Sequence, residues 1–354
     1  MTETKNTWPE LLNQLLKGDD LSVSQAKWAM QECISGAASQ VQLAAMLVAL
    51  RGKGVAVSEL LGFSEATLSA AVKADLPSRA LDIVGTGGDG HNTINVSTTA
   101  AILLAGAGVP VIKHGNRAVS SKSGASDVLT ALGASHELAP AGQEKVFDET
   151  GLVFLHAGKM HPGFANIAPV RADLKIPTVF NFLGPLVNPA QPQAIVLGVA
   201  RAELGPLLAE VLASRGQVGL VVCGGDGMDE ITVTTTSRVW QVAGGQVTEF
   251  ELDPEKLGIP LASLDDVRGG SPAENAEILR DTLAGKKQGA MRDIVLLSAA
   301  AGIVAFDLLD EKTSLTSLET RFISALEKAG HAIESGSALA VLERWITATN
   351  EHAD

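Results

Sequence analysis

From Leu81 onward, short β-rich runs alternate with helical ones, and this rhythm constrains the fold more than any other feature of the chain. "LDIV" precedes "TTAAILLAGAG", "VPVIK" precedes "ASDVLTALG", and "LVFLH" precedes "NIAPVRADL". "AIVLGV" and "VGLVVCG" flank "LGPLLAEVLASRG". Alternation on this scale predicts parallel strands joined by helical crossovers. It breaks at "ITVTTTSRVWQVAGGQVTEFEL", whose β-branched strands around Ala243-Gly244-Gly245 predict an antiparallel hairpin. The C-terminal stretch returns to helical spacing.

The residues before this rhythm read as helices. Leu11, Leu12, Leu15 and Leu16 form one apolar stripe behind Pro9, a residue suited to a first turn. Two further segments begin at Ser and stop at Gly36 and Gly52, and a fourth carries an internal Gly62, which weakens it as a helix. The expectation is an α/β protein with a small helical N-terminal domain over residues 1–76, joined by helices from about 165–190. A large α/β domain over 77–354 follows, with a mostly parallel central sheet and flanking helices.

Composition narrows the partners. A 354-residue chain with 46% hydrophobic residues can fill a large core, and its net charge of −13 argues against a general nucleic-acid or anionic-membrane surface. Cys33 and Cys223 make neither a disulfide framework nor a metal-ligand spacing. The N-terminus lacks an apolar signal core, and no apolar run reaches the ~18 residues of a membrane helix. A cytoplasmic protein is expected.

The loop after the first predicted strand, "VGTGGDGHNTINVST", contains a literal G-x-G-x-x-G at Gly85, Gly87 and Gly90. The dinucleotide reading of that pattern fails twice. Seven residues, His91 to Ser97, separate the glycines from "TTAAILL", and the acid expected about 20 residues on is replaced by Lys113, His114 and Arg117. Bases at that position suit phosphate better than ribose hydroxyls. Ser97 and Thr98 stand where a helix N-terminus would gather oxyanions, although Ser97 also reads as an ordinary cap. Lys113, Ser120, Ser121 and Lys122 extend the anion-friendly character. The adjacent carboxylates of Asp229 and Glu230 can grip a hard cation such as Mg²⁺, which takes few protein ligands and completes its shell with water and phosphate. Arg171, taken alone, reads as a surface charge paired with Asp173 or Glu149.

Taken together, "GTGGDGHNTINVST", "KHGNRAVSSKSG", "APVRADL", "FNFLGPLVNP" and "GMDEIT" resemble the anthranilate phosphoribosyltransferases over essentially the whole chain. The resemblance implies a nucleoside phosphorylase/phosphoribosyltransferase-like fold. It also implies transfer of phosphoribose from 5-phosphoribosyl 1-diphosphate to anthranilate in tryptophan biosynthesis, by a homodimer using two Mg²⁺ ions. Donor contacts would come from Gly85, Gly88, Asp89, Thr93, Asn95, Val96, Ser97 and Thr98. They would continue through Lys113, His114, Gly115, Asn116, Arg117, Ala118, Val119, Ser120, Ser121 and Ala125. Ser97, Asp229 and Glu230 would hold metal. Gly85, Asn116 and Arg171 would face anthranilate, with Arg171 pairing its carboxylate.

No side chain is required as a general base, because an aryl amine is already neutral at pH 7. Ala125 stands where the family often has Ser, which leaves only its backbone N–H for a phosphate. Cys223 replaces a common His, and Phe164–Asn166 lacks a basic residue and a His often seen before "PVR". Two other readings compete. A pyrimidine nucleoside phosphorylase would share "GTGGD", but "KHGN" and "MDE" speak against it. A non-catalytic nucleic-acid-binding paralogue would need a basic surface and a decayed acidic motif, and neither is present.

Overall fold

The computed structural model describes residues 6–116, 123–136, 138–310 and 316–353. The chain divides into two compact units, Met1–Val72 with Gly158–Pro189, and Lys73–Ala157 with Ala190–Asp354.

The first unit is helical. Helices Val23–Ser35 and Gln40–Lys53 each start at a serine whose hydroxyl accepts the N–H of a glutamine three residues on, while that glutamine's side chain accepts the serine's own N–H. The second of these runs through Gly52 and ends at Gly54, whose φ of 91° suits only glycine. The expected stop at Gly52 is therefore two residues early. Gly62 does not interrupt its helix, Val57–Ser69. A Cβ there would lie 2.4 Å from the Val23 carbonyl, so the missing side chain lets two helices touch. The first helix, Trp8–Leu16, buries Leu11 and Leu15 but leaves Leu16 75% exposed, which narrows the expected four-leucine stripe. Glu59 is fully buried because its carboxylate accepts from the Leu21 and Ala56 N–H groups and from the Lys53 ammonium.

The second unit is built on a seven-stranded sheet in the order β3-β2-β1-β4-β5-β6-β7. Its strands are β1 Leu81–Gly85, β2 Val111–Gly115, β3 Leu152–His156, β4 Ala194–Gly198, β5 Val218–Gly224, β6 Ser237–Ala243 and β7 Gln246–Leu252. The first five pair in parallel, with β1 and β4 in register from Leu81–Ala194 to Gly85–Gly198. The last two run antiparallel, joined at Gly244 and Gly245 with φ of 58° and 75°. Two positive φ values are what a tight two-residue hairpin requires. The preceding "ITVTTT" is loop, and the strand begins only at Ser237. Helix Ala290–Asp307 is buried from Ile294 through Ala305 and packs on helix Val96–Gly106, where Gly302 admits the Leu104 side chain. Among the described residues no helix is long and apolar enough to cross a membrane.

The strand order has a consequence for function. The chain proceeds outward from β1 through β2 to β3, then returns to the opposite side of β1 as β4. Ligands of open α/β sheets bind beyond the carboxyl ends of the strands flanking such a reversal. Here those ends are Gly85 and Gly198.

Candidate active site

Both strand ends are bare for the same reason. A Cβ on Gly85 would stand 2.1 Å from an Asp229 carboxylate oxygen, and one on Gly198 would stand 1.7 Å from the Asp229 carbonyl. The acidic loop after β5 thus lies directly over the reversal point. The Gly87 N–H donates to Asp229 Oδ2 (2.6 Å), and the Thr86 N–H donates to the Gly198 carbonyl (2.9 Å). Gly87, Gly88 and Gly90 hold φ of 68°, 85° and 77°, which explains the glycine density of this loop without a dinucleotide.

Asp226 gives the acidic loop its shape. Its carboxylate accepts from the hydroxyls of Thr232 (2.7 Å) and Thr234 (2.6 Å) and from the Met228 N–H (3.0 Å). The His91 ring meets the Asp226 carbonyl at 3.1 Å and so ties the glycine loop to the acidic one. Sequence reasoning missed both residues, although an Asp before Gly in "GGDGMDE" is a turn former.

Helix Val96–Gly106 starts beside this loop with Asn95 as its N-cap. The Ser97 backbone N–H, in the helix's first turn, faces the Glu230 carboxyl and favours its charged form. Lys113 is buried in β2; its ammonium donates to the Ile83 carbonyl and to Ser97 Oγ (3.2 Å). It therefore supplies positive charge from beneath Ser97. Ser97, Lys113, Asp229, Glu230 and the glycine loop converge, as the anion-and-metal reading of the sequence requires.

Charges in this cluster are out of balance. Burial, then the charge of Asp89, pushes the Asp229 carboxyl up to about 7. Burial, then the charge of Asp229, pushes Glu230 up to about 8, with Lys113 opposing. Burial also lowers Lys113, although Asp82, Glu230 and Asp229 all hold its proton on. Four carboxylates, Asp82, Asp89, Asp229 and Glu230, against one lysine form a site that favours an added cation. Ser97 and the two carboxylates fit Mg²⁺, an ion that takes oxygen ligands and usually keeps several waters.

The other predicted positions are more dispersed. Gly115 ends β2 where a Cβ would strike the Phe154 ring at 2.8 Å, and the Asn116 carbonyl accepts from the Ser126 N–H. His114 is buried, with its backbone N–H donated to Asp82. Val96 and Thr98 are buried as well, while Gly88 is exposed. Thr93 pairs antiparallel with Arg268. Ala125 opens the helix Ala125–Ala131 behind the N-cap Gly124. Arg117, Ala118, Val119, Ser120 and Ser121 lie outside the described residues.

Arg171 belongs to the helical unit, on helix Ala168–Leu174. The expected surface ion pair is not what holds it: among the described residues its guanidinium has no acidic partner and lies over the Phe180 ring, 5.3 Å from the centroid. Phe180 meets Phe164 edge-on at 5.6 Å, and Phe164 stacks on His161 at 5.3 Å. Burial lowers His161 to about 4, so its ring is neutral and can donate to the Val187 carbonyl (2.9 Å). An aromatic row thus presents a partly desolvated, uncompensated guanidinium, which is suited to a carboxylate.

Two family models cover most of the chain: the glycosyl transferase family helical bundle domain matches residues 9–71, and the glycosyl transferase family a/b domain matches residues 77–339. Anthranilate phosphoribosyltransferase of Leifsonia xyli subsp. xyli is 50% identical over 350 residues, spanning 99% of this chain and 100% of that relative. The chain belongs to the anthranilate phosphoribosyltransferase family. The Thermus thermophilus anthranilate phosphoribosyltransferase structure matches with a TM-score of 0.87 at 38% identity, covering 96% of this chain and 99% of that one. The Saccharomyces cerevisiae enzyme in complex with PRPP and Mg matches with a TM-score of 0.85 at 30% identity, covering 98% and 99%. The same yeast enzyme has also been solved with 4-fluoroanthranilate. The helical bundle and the mostly parallel α/β sheet expected from the sequence are those of this family.

Proposed function

We propose that this chain transfers the phosphoribosyl group of 5-phosphoribosyl 1-diphosphate to the amine of anthranilate, yielding N-(5-phosphoribosyl)anthranilate and pyrophosphate in tryptophan biosynthesis. The observation that carries this reading is the glycine-bared reversal point, where Asp229 covers the ends of β1 and β4 and Glu230 faces the start of helix Val96–Gly106. The yeast relative's complexes with PRPP and Mg and with an anthranilate analogue support it.

In this reading the glycine loop, residues Asn95–Thr98 and the stretch from Lys113 to Ser121 receive the diphosphate donor. Backbone N–H groups at a helix start are oriented towards negative charge before any reaction begins, so they stabilise the departing pyrophosphate without reorganising. Ser97, Asp229 and Glu230 hold two Mg²⁺ ions, which when bound neutralise charge on the leaving group. Lys113 keeps the two carboxylates from repelling one another in the meantime. Arg171 takes the anthranilate carboxylate, with Gly85 and Asn116 as further acceptor contacts, and so directs the neutral amine towards the ribose carbon. No residue has to remove a proton before attack.

The enzyme acts in the cytoplasm as a homodimer. An apolar groove of about 580 Å³ between helices Trp8–Leu16 and Gln40–Lys53, lined by Leu15, Leu16, Ala45, Val48 and Ala49, supports pairing of two copies. Leu16 and Val48 are 75% and 48% exposed there, an apolar display that a second copy could cover. The test of the reaction is stoichiometry. One pyrophosphate should appear per anthranilate consumed, and pyrophosphate release without anthranilate loss would remove the assignment.

A further inference from the structure

Asn95 caps helix Val96–Gly106 without using its side chain as a cap. An Asn in this place usually accepts an N–H from the first turn. Here the Asn95 carboxamide is employed elsewhere. Its Nδ2 donates to the Ser123 carbonyl (3.1 Å), and its Oδ1 accepts from the Ser123 hydroxyl (3.2 Å) and from Asn275 Nδ2 (2.8 Å).

Asn275 lies in the first turn of helix Pro272–Leu283 and is 2% exposed. Both ends of its carboxamide are engaged, because Oδ1 also accepts the Gly270 N–H at 2.8 Å. The segment leading into that helix is laid along the glycine loop. The Ile94 N–H donates to the Val267 carbonyl (3.1 Å) and the Gly269 N–H to the Asn92 carbonyl (2.9 Å), on either side of the Thr93–Arg268 bridge. A Cβ on Gly269 would lie 2.5 Å from the Thr93 carbonyl and 2.8 Å from Asn275 Oδ1, so the approach is closer than any other residue permits.

We propose that Asn275 is a positioning residue for the diphosphate donor, acting through Asn95. This rests on the reading that the start of helix Val96–Gly106 receives that donor. Asn275 fixes the orientation of the Asn95 carboxamide, which in turn sets the spacing between the helix start and Ser123. The donor touches Asn95 and its neighbours and never Asn275. A carboxamide with two buried hydrogen bonds cannot turn without leaving polar atoms unsatisfied, and this makes the link stiff.

Two variants separate this role from a local one. Asn275→Asp keeps an acceptor for the Gly270 N–H but sets an oxygen against Asn95 Oδ1, whereas Asn275→Ala removes both bonds. Calorimetric titration with phosphoribosyl diphosphate and Mg²⁺ should give a donor Kd raised about tenfold in both variants. The donor KM should rise by a similar factor, while kcat and the anthranilate KM stay within about twofold. If Asn275→Asp melts below the assay temperature, the Ala variant carries the same comparison. A folded variant that binds donor as the wild type does overturns the proposal. Wild-type turnover in parallel tells the two failures apart: an active wild type with indifferent variants removes the role of Asn275 alone. A wild type that neither binds nor consumes donor removes the functional reading, and this inference with it.

Discussion

At the scale of single residues, the site is set by what is missing as much as by what is present. Gly85 and Gly198 are required because Asp229 occupies the space their side chains would fill. Arg171 is the residue proposed to take the anthranilate carboxylate. Its only neighbour of consequence among the described residues is the Phe180 ring, and burial lowers its pKa without an acid nearby. Arg171→Ala should raise the anthranilate KM by roughly 10- to 100-fold, corresponding to a charged hydrogen bond of ~1.5–3 kcal/mol, with a much smaller effect on the donor KM. Steady-state kinetics in both substrates measures this directly, and unchanged anthranilate kinetics would contradict the assignment.

At the scale of elements, the acidic loop between β5 and β6 carries a pH dependence. Asp229 and Glu230 titrate above their ordinary range, at about 7 and about 8. Between the unfolded carboxyl range near pH 4 and these values, the native state holds more protons than the unfolded one, so metal-free stability falls as pH rises through this window. Mg²⁺ held by this pair, as proposed, would replace those protons and therefore gain as pH rises. The increase in Tm on adding Mg²⁺ should be larger at pH 8.5 than at pH 6. Equal increases at the two values would show that these carboxylates do not carry the metal.

Much of this element layer was legible in the sequence. The strand–helix alternation and the hairpin at Gly244-Gly245 follow from local patterns whose period or turn chemistry is strong, whereas bringing Ser97 to the acidic pair is implied only by the family resemblance. Other features depend on contacts made across the chain. Nothing local marks Gly62 as a contact between helices or Gly54 as the true helix stop. Asn275 reaches Asn95 across 180 residues, and no spacing rule anticipates such a link. Taken alone, Arg171 reads as a surface pair because the ring beneath it, Phe180, comes from a different helix. Lys113 was identified as a base at a strand tip, but its inward aim follows from the Ile83 carbonyl on the neighbouring strand.

At the scale of the whole molecule, the helical unit is the part with apolar surface to spare. Leu16→Asp combined with Val48→Asp should convert a dimer to monomers in sedimentation while leaving the fold intact, since both side chains are already exposed. A wild type that sediments as a monomer would contradict the proposed homodimer. In the proposed function, the α/β unit prepares a metal-dependent leaving group for attack by an aryl amine. The most direct measurement is the fluorescence of anthranilate mixed with phosphoribosyl diphosphate and this protein, with and without Mg²⁺. Fluorescence should fall only with donor and metal together, and the fall should be nearly abolished in Glu230→Gln. Anthranilate left unconsumed by folded wild-type protein with Mg²⁺ present would contradict this function.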